Sequence, residues 1–247
     1  MLGPVAREYA NAFCKAGITI ESTFGGLASY TYNHLLAPTS ELRALGKEHL
    51  KRAIEMTSEM GVRGAGMPFG SYSTADALNL ERREEVYRQA VDAHLDLTRH
   101  AKAKGLETLY VEPVPLATEF PSSATDALRL MQDLNAESAI PIRLMVDWGH
   151  ALFPTLFGDK ADMDYWMETC GDYIGAFHIQ QSDGVLDRHW NFTREGIITP
   201  ERLSEFWKRH ELTNQTYFLE IIYPFEETEE HVLADMKASV KLLRQAA

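Results

Sequence analysis

The chain has 247 residues and carries 36 acidic against 24 basic side chains, which gives a formal net charge of −12 at pH 7. This acidic surplus repels phosphate backbones and anionic bilayers, so we expect neither a nucleic acid nor a membrane as a partner. Hydrophobic residues make up 45% of the chain, enough to bury one sizeable core. The composition therefore predicts a single domain over residues 1–247.

Cysteine usage and the amino end bear on the compartment. Two cysteines occur, Cys14 and Cys170, too few for a disulfide framework. The opening residues lack the basic and apolar regions of a secretory signal, and no run of roughly 18 apolar residues is present to cross a bilayer. We therefore expect a soluble, cytoplasmic protein.

Short apolar runs alternate with longer amphipathic segments, a pattern that predicts βα units around a parallel sheet and hence an α/β fold. Helices are predicted at residues 5–15, 41–60, 80–104, 123–135, 162–173, 200–209 and 228–246. Six strands are predicted, at residues 18–24, 62–67, 108–114, 142–147, 176–180 and 217–221. Gly61 and Gly105 stand where helix C-termini favour positive φ, and Thr199 is the expected N-cap ahead of Pro200.

Acids and one histidine follow the apolar runs of the last four predicted strands. The sequence reads LYVEPVP, LMVDWGH, AFHIQQSD and YFLEI, which places at the strand ends Glu112, Asp147, His178 and Glu220. All strands of a parallel barrel open their carboxyl ends on one face, so we expect these side chains to converge. A lone acid after a strand is as often an N-cap for the next helix as a ligand, but four such positions in succession weaken that alternative.

These residue types together indicate a metal. Three carboxylates packed together repel one another and raise each other's pKa unless a cation lies among them. Carboxylate oxygens with one imidazole suit a hard divalent ion and leave positions for substrate oxygens. We predict one divalent metal ion, with Mn²⁺ as the expected ion and Mg²⁺ and Co²⁺ as the alternatives. A structural zinc site is not expected, because the set contains no thiolate.

The order Glu, Asp-x-x-His, His, Glu on four consecutive strands resembles the xylose isomerase-like TIM barrels, as do the segments NHLLAPTSELR and HIQQSDGVLDRHW. More narrowly, it resembles their sugar phosphate isomerase/epimerase branch, which includes the ketose 3-epimerases, and the whole sequence is similar to the erythrulose 1-phosphate 3-epimerases. The resemblance implies a TIM (β/α) barrel whose metal ligands are Glu112, Asp147, His178 and Glu220. It also implies that His150 and Arg188 bind the substrate.

The chain departs from that family at its amino end. A full barrel of this type has eight βα units, whereas six strands are visible, and the helix at residues 5–15 resembles the one that normally follows the second strand. We therefore expect a barrel domain that lacks the first two βα units. An open barrel exposes sheet edges. A homo-oligomer in which a partner subunit covers these edges therefore stays an alternative.

The resemblance implies isomerisation or epimerisation of a ketose or ketose phosphate, with a tetrulose phosphate among the candidates. Glu112 and Glu220 fit a catalytic pair that removes a proton on one face of the substrate and returns it on the other. Two alternatives stay open: decarboxylation of a 3-oxo sugar acid on the same site, and a truncated, non-catalytic subunit. An apurinic endonuclease would need more metals and a basic surface, which the net charge argues against.

Overall fold

The fold is that of a computed structural model, which describes residues 2–25 and 27–246. The chain forms two compact units, residues 1–145 and residues 146–247. The expectation of one domain with two βα units missing from its amino end stays a prediction. None of the helices in the described residues has both the length and the apolar character needed to cross a membrane.

The first unit alternates strands with helices. Its elements are α1 (Leu2–Lys15), β1 (Thr23–Phe24), α2 (Ser40–Glu59), β2 (Gly64–Met67), β3 (Gly70–Ser71), α3 (Thr74–Ala77), α4 (Leu80–Ala103), β4 (Thr108–Val111), β5 (Glu119–Phe120), α5 (Ala124–Asn135) and β6 (Ile142–Asp147), with 3₁₀ turns at Leu27–Thr31 and His34–Leu36. Strands β1, β2, β4 and β6 pair side by side and in parallel, in that order. The short strands β3 and β5 form a separate antiparallel pair.

Small residues in β2 let aromatic side chains of its neighbours pack closely. All four residues of β2 are buried, and two of them are glycines. A Cβ on Gly66 would lie 2.1 Å from the ring of Phe24, and one on Gly64 would lie 3.2 Å from the ring of Tyr110. Glycine inside a strand often marks such a close approach, and here it lets the flanking strands keep large rings.

The long helix α4 shows why the amphipathic segments fold as predicted. The side chain of Asn79 accepts a hydrogen bond from the Arg82 amide and so caps the first turn. Buried residues recur along one face at helical spacing: Val86, Tyr87, Ala90, His94, Leu95, Leu97, Thr98 and Ala101. Gly105 follows the helix with φ +84°, as predicted.

The second unit contains fewer strands and several short helices. After the last residues of β6, its elements are α6 (Trp148–Ala151), α7 (Pro154–Phe157), α8 (Met163–Cys170), β7 (Ile174–Ile179), α9 (Pro200–Arg209), β8 (Tyr217–Leu219) and α10 (Glu229–Ala246), with 3₁₀ turns at Gly158–Lys160 and Gly171–Tyr173. Strands β7 and β8 pair in parallel. The ring of Phe206 packs edge-on against Trp148 and Phe177, and Thr199 caps α9 as predicted.

The six predicted strands and all predicted helices are present, but several strands are shorter than expected. The strand predicted at residues 18–24 is reduced to Thr23–Phe24, and the one predicted at residues 108–114 ends at Val111. The pair β3 and β5 was not predicted, because two-residue strands leave no hydrophobic period to read.

Gly46 tests how closely α2 approaches the turn at His34–Leu36. A Cβ at Gly46 would lie 2.7 Å from the Cα of His34, a backbone atom that cannot rotate away. Alanine is normally more stable than glycine in a helix by about 1 kcal/mol. Here we expect the opposite: Gly46→Ala should lower the free energy of unfolding by about 2 kcal/mol through overpacking, measured by urea denaturation.

Gly3→Ala in α1 is the matched control, because its added Cβ meets only the flexible ends of Arg7 and Glu59. We expect its free energy of unfolding to stay within about 1 kcal/mol of the wild type. Equal unfolding midpoints for the wild type and Gly46→Ala would show that α2 does not lie this close to the turn.

His94 is a second test, because it is fully buried in α4 and neither ring nitrogen has a hydrogen-bond partner. Burial lowers its pKa from 6.5 to about 4. The unfolded chain therefore binds one more proton between these values, and stability falls as the pH drops through this window. His94→Leu should raise the free energy of unfolding by about 1–3 kcal/mol at neutral pH.

The difference between His94→Leu and the wild type should then widen as the pH falls, by on the order of 3 kcal/mol once the pH is below the folded pKa. Urea unfolding curves of both proteins across this pH range measure it. A difference that stays constant with pH would mean that His94 is not buried in its neutral form.

Candidate metal centre

Three of the four predicted ligands meet within the second unit. Asp147 is the last residue of β6, His178 lies near the end of β7, and Glu220 directly follows β8. Each of them offers a ligand atom within 4.8 Å of those of the other two. Nδ1 of His178 lies 2.9 Å from Oε2 of Glu220. The carboxyl ends of these strands therefore hold two carboxylates and one imidazole close together.

Asp147 is both a helix cap and a candidate ligand. One oxygen, Oδ1, accepts hydrogen bonds from the backbone amide of His150 at 3.0 Å and from Nε2 of Gln180 at 2.8 Å. The other oxygen, Oδ2, is buried and has no hydrogen-bond partner. Burial raises the pKa of Asp147 to about 6, an effect partly offset by the charges of His150 and His189. Capping thus occupies one oxygen and leaves the other for a cation.

Glu220 is held by histidine. Its backbone amide donates to the carbonyl of Ile179 at 2.9 Å, which continues the pairing of β7 with β8 and fixes where its side chain begins. Burial by itself raises the pKa of Glu220, but the hydrogen bond and charge of His178, together with the charge of His189, outweigh it and leave the pKa below its usual value. Glu220 is therefore a carboxylate at neutral pH.

Glu112, the fourth predicted ligand, belongs to the first unit. It lies one residue beyond β4, is 3% exposed, and accepts a hydrogen bond at Oε2 from the phenol of Tyr30. Tyr30 was not predicted as a site residue, because it lies in a 3₁₀ turn with no motif around it. That Glu112 shares a metal ion with the other three residues stays a prediction.

A second group of potential ligands, also within the second unit, contains His150, Asp187 and His189. Their ligand atoms lie within 4.8 Å of one another. Oδ2 of Asp187 is 3.1 Å from Nε2 of His150 and 3.0 Å from Nε2 of His189, while its Oδ1 accepts from Nε2 of Gln180 at 2.9 Å. His150 was predicted to bind the substrate, whereas no role was predicted for Asp187, His189 or Gln180. The Asp-x-His spacing in the loop after β7 was the available signal.

Arg188, predicted to bind the substrate, is engaged by its own loop. Its guanidinium donates to Oδ2 of Asp183 at 2.8 and 2.9 Å and lies over the ring of Trp190, 5.1 Å from the ring centroid. The hydrogen bonds from Arg188, together with two backbone hydrogen bonds to Asp183, lower the pKa of Asp183 to about 2. A role of Arg188 in binding the substrate stays a prediction.

The donor set of Asp147, His178 and Glu220 fits a divalent cation. Two carboxylates and an imidazole are ligands that Mn²⁺, Mg²⁺ and Co²⁺ accept, and Oδ2 of Asp147 is a buried carboxylate oxygen without a hydrogen-bond donor. Leaving such an atom unpaired is costly, and coordination of a cation removes the cost.

Comparisons with known proteins identify relatives of this chain. A D-erythrulose 1-phosphate 3-epimerase of Brucella abortus (strain 2308) is 26% identical over 206 residues, which cover 81% of this chain and 66% of the relative. The chain thus spans just under two thirds of that relative's length. A crystal structure from Rhodospirillum rubrum, provisionally assigned as a xylose isomerase, is 64% identical with a TM-score of 0.97, over 99% of this chain and 83% of the other.

More distant solved structures share the fold alone. The D-psicose 3-epimerase of Clostridium cellulolyticum H10 is 12% identical with a TM-score of 0.74, over 99% of this chain and 84% of the other. The 3-keto-D-glucoside 4-epimerase of E. coli is 17% identical with a TM-score of 0.71, over 99% of this chain and 86% of the other. The relatives are sugar epimerases and isomerases.

The predicted fold class is confirmed by the family to which the chain is matched. The model of the family described as xylose isomerase-like TIM barrel matches residues 3–245, nearly the whole chain. Parallel strands β1, β2, β4 and β6 in the first unit, and β7 with β8 in the second, agree with that description. The chain belongs to the xylose isomerase-like TIM barrel family.

Proposed function

We propose that the protein is a divalent-metal-dependent isomerase or epimerase of a ketose or ketose phosphate. The observation that carries the proposal is the group formed by Asp147, His178 and Glu220 at the carboxyl ends of their strands. In barrels of this kind catalytic residues come from the ends of several strands. The name of the Brucella abortus relative, a D-erythrulose 1-phosphate 3-epimerase, supports a tetrulose phosphate as the first substrate to test.

Asp147, His178 and Glu220 would hold one ion, with Glu112 as the fourth ligand. Mn²⁺ is the proposed ion, with Mg²⁺ and Co²⁺ as alternatives. When bound, the ion would supply a Lewis acid that spreads the negative charge developing on the substrate oxygens. The burial of Glu112 beside β4, with Tyr30 fixing one of its oxygens, supports a preorganised carboxylate at that position.

Two glutamates then carry the proton chemistry. One carboxylate removes the proton from the carbon next to the carbonyl, and the electron pair of that C–H bond moves to the carbonyl oxygen to give an enediolate. The other glutamate, as its acid form, returns a proton to the opposite face, which inverts the carbon. Glu112 and Glu220 are the proposed pair. His150 would hydrogen-bond the carbonyl oxygen, and Arg188 would bind a hydroxyl or phosphate oxygen.

Acid-to-amide substitutions test the ligand set. We expect about one ion per wild-type chain by elemental analysis, metal affinity at least about tenfold weaker in Glu220→Gln and Glu112→Gln, and turnover lower by about 10²–10⁴. Glu168→Gln is the matched control, since Glu168 is an exposed acid on α8 in the second unit. Unchanged metal content and turnover in both ligand variants would show that the site is assigned wrongly.

Solvent exchange separates the reaction classes. An epimerase or isomerase in D₂O should incorporate deuterium at the carbon next to the carbonyl. Proton NMR detects this exchange, and the substrates to test are tetruloses, pentuloses, hexuloses and their phosphates. A decarboxylase would instead release carbon dioxide from a 3-oxo sugar acid without such exchange into a ketose. Bound metal with no exchange and no gas on the whole panel would favour a non-catalytic subunit.

Cytoplasmic location and a homo-oligomer stay predictions.

A further inference from the structure

The group around Asp187 differs from the metal centre in how its atoms are used. Both oxygens of the Asp187 carboxylate accept hydrogen bonds: Oδ2 from Nε2 of His150 and Nε2 of His189, and Oδ1 from Nε2 of Gln180. Its pKa lies well below the usual value, because these two histidines outweigh the effect of burial. Asp187 is therefore a charged acceptor whose oxygens are all engaged, in contrast to Asp147, whose Oδ2 has no partner.

Gln180 joins this group to the metal centre. It is completely buried, and its amide nitrogen donates to Oδ1 of Asp147 at 2.8 Å as well as to Asp187. Its amide oxygen accepts from the backbone amide of His189, a residue held at φ +47°. Such a backbone conformation is costly for a residue other than glycine and persists where its surroundings fix it. The loop after β7 is thus anchored beside Asp147.

His150 is the residue that this network holds. Its backbone amide is fixed by Asp147 and its ring by Asp187, so both ends of the residue are restrained. A carboxylate that accepts from one ring nitrogen sets the orientation of an imidazole and determines which nitrogen carries the proton. His150 is 6% exposed. Its ring cannot rotate without breaking the hydrogen bond to Asp187.

We propose that Asp187 is a positioning residue: it fixes the ring of His150 in the orientation in which that ring contacts the substrate, and it binds no ion of its own. The inference rests on the proposed function, in which His150 hydrogen-bonds the carbonyl oxygen of the substrate. A second divalent ion shared by His150, Asp187 and His189 is the competing interpretation of the same geometry, and the two predict different metal contents.

Asp187→Ala removes every acceptor, and Asp187→Asn keeps one oxygen of the same size and position. We expect kcat to fall about 10- to 100-fold in Asp187→Ala, with a smaller loss in Asp187→Asn, while KM changes by less than about threefold because substrate binding by the metal centre is retained. Metal content should equal that of the wild type, about one ion per chain. Glu195→Gln is the matched control, an exposed acid in the same connection between β7 and α9.

A second readout does not need turnover. Side-chain ¹⁵N NMR of the histidines should show His150 protonated at Nε2 in the wild type, assigned from the signal missing in His150→Gln, and a changed proton distribution on that ring in Asp187→Ala. This readout separates the two proposals. If no sugar is turned over by the wild type, the proposed function fails, while the NMR result still decides whether Asp187 fixes His150.

Two results would overturn the inference. One is a wild-type content of two ions that drops to one in Asp187→Asn, which would assign the group to a second metal. The other is an unchanged His150 spectrum together with wild-type kcat in Asp187→Ala, which would leave Asp187 without a role in positioning. Circular dichroism and melting curves of all variants confirm that each is folded before these comparisons are made.

Discussion

Burial of negative charge is the constraint on which the candidate centre depends. Asp147 is fully buried, Glu220 is nearby in the same unit, and like charges at such separations oppose each other's ionisation. Histidine relieves part of this repulsion, since His178 contacts Glu220 directly. Oδ2 of Asp147 is nevertheless buried without a hydrogen-bond partner. The helix cap accounts for Oδ1 of Asp147, but the burial of Oδ2 without a donor is a cost that a bound cation would remove.

The way β6 ends explains how one acid serves two purposes. A helix that begins directly after a strand needs an acceptor for its first free amides, and Asp147 supplies it with one oxygen. The second oxygen, Oδ2, takes no part in the cap. Asp147 can therefore be both an N-cap and a metal ligand, although the sequence presented these two roles as alternatives.

Much of the fold could be predicted because its signals are local. Helical spacing marked α4, and the N-cap Thr199 and the glycine that follows α4, Gly105, fixed two boundaries within a residue or two. The strand-end acids were visible because a charge directly after an apolar run is conspicuous. By contrast, Gln180 gave no signal, because a neutral amide after a strand is typical of the surface. Its role comes from hydrogen bonds to Asp147 and Asp187, which only the folded chain brings together.

The loop after β7 shows the other limit of sequence reasoning. Two acids there, Asp183 and Asp187, are equally polar and separated by few residues, yet one forms an ion pair with Arg188 and the other accepts from two buried histidines. The choice between them is made by the turn, with Gly184 at φ +72°, and a loop conformation of this kind has no period to read. Tertiary contacts, not local preference, assign these roles.

Gly149 has a consequence for how this chain can vary. It lies between Asp147 and His150 in α6, and a Cβ there would stand 2.5 Å from the side-chain amide of Gln180. A larger residue at position 149 therefore requires the side chain of Gln180 to move or to be shorter. Shortening Gln180 alone, however, withdraws a donor from two acids at once. Changes at positions 149 and 180 are thus coupled, because a side chain added at 149 displaces the amide from which both acids accept hydrogen bonds.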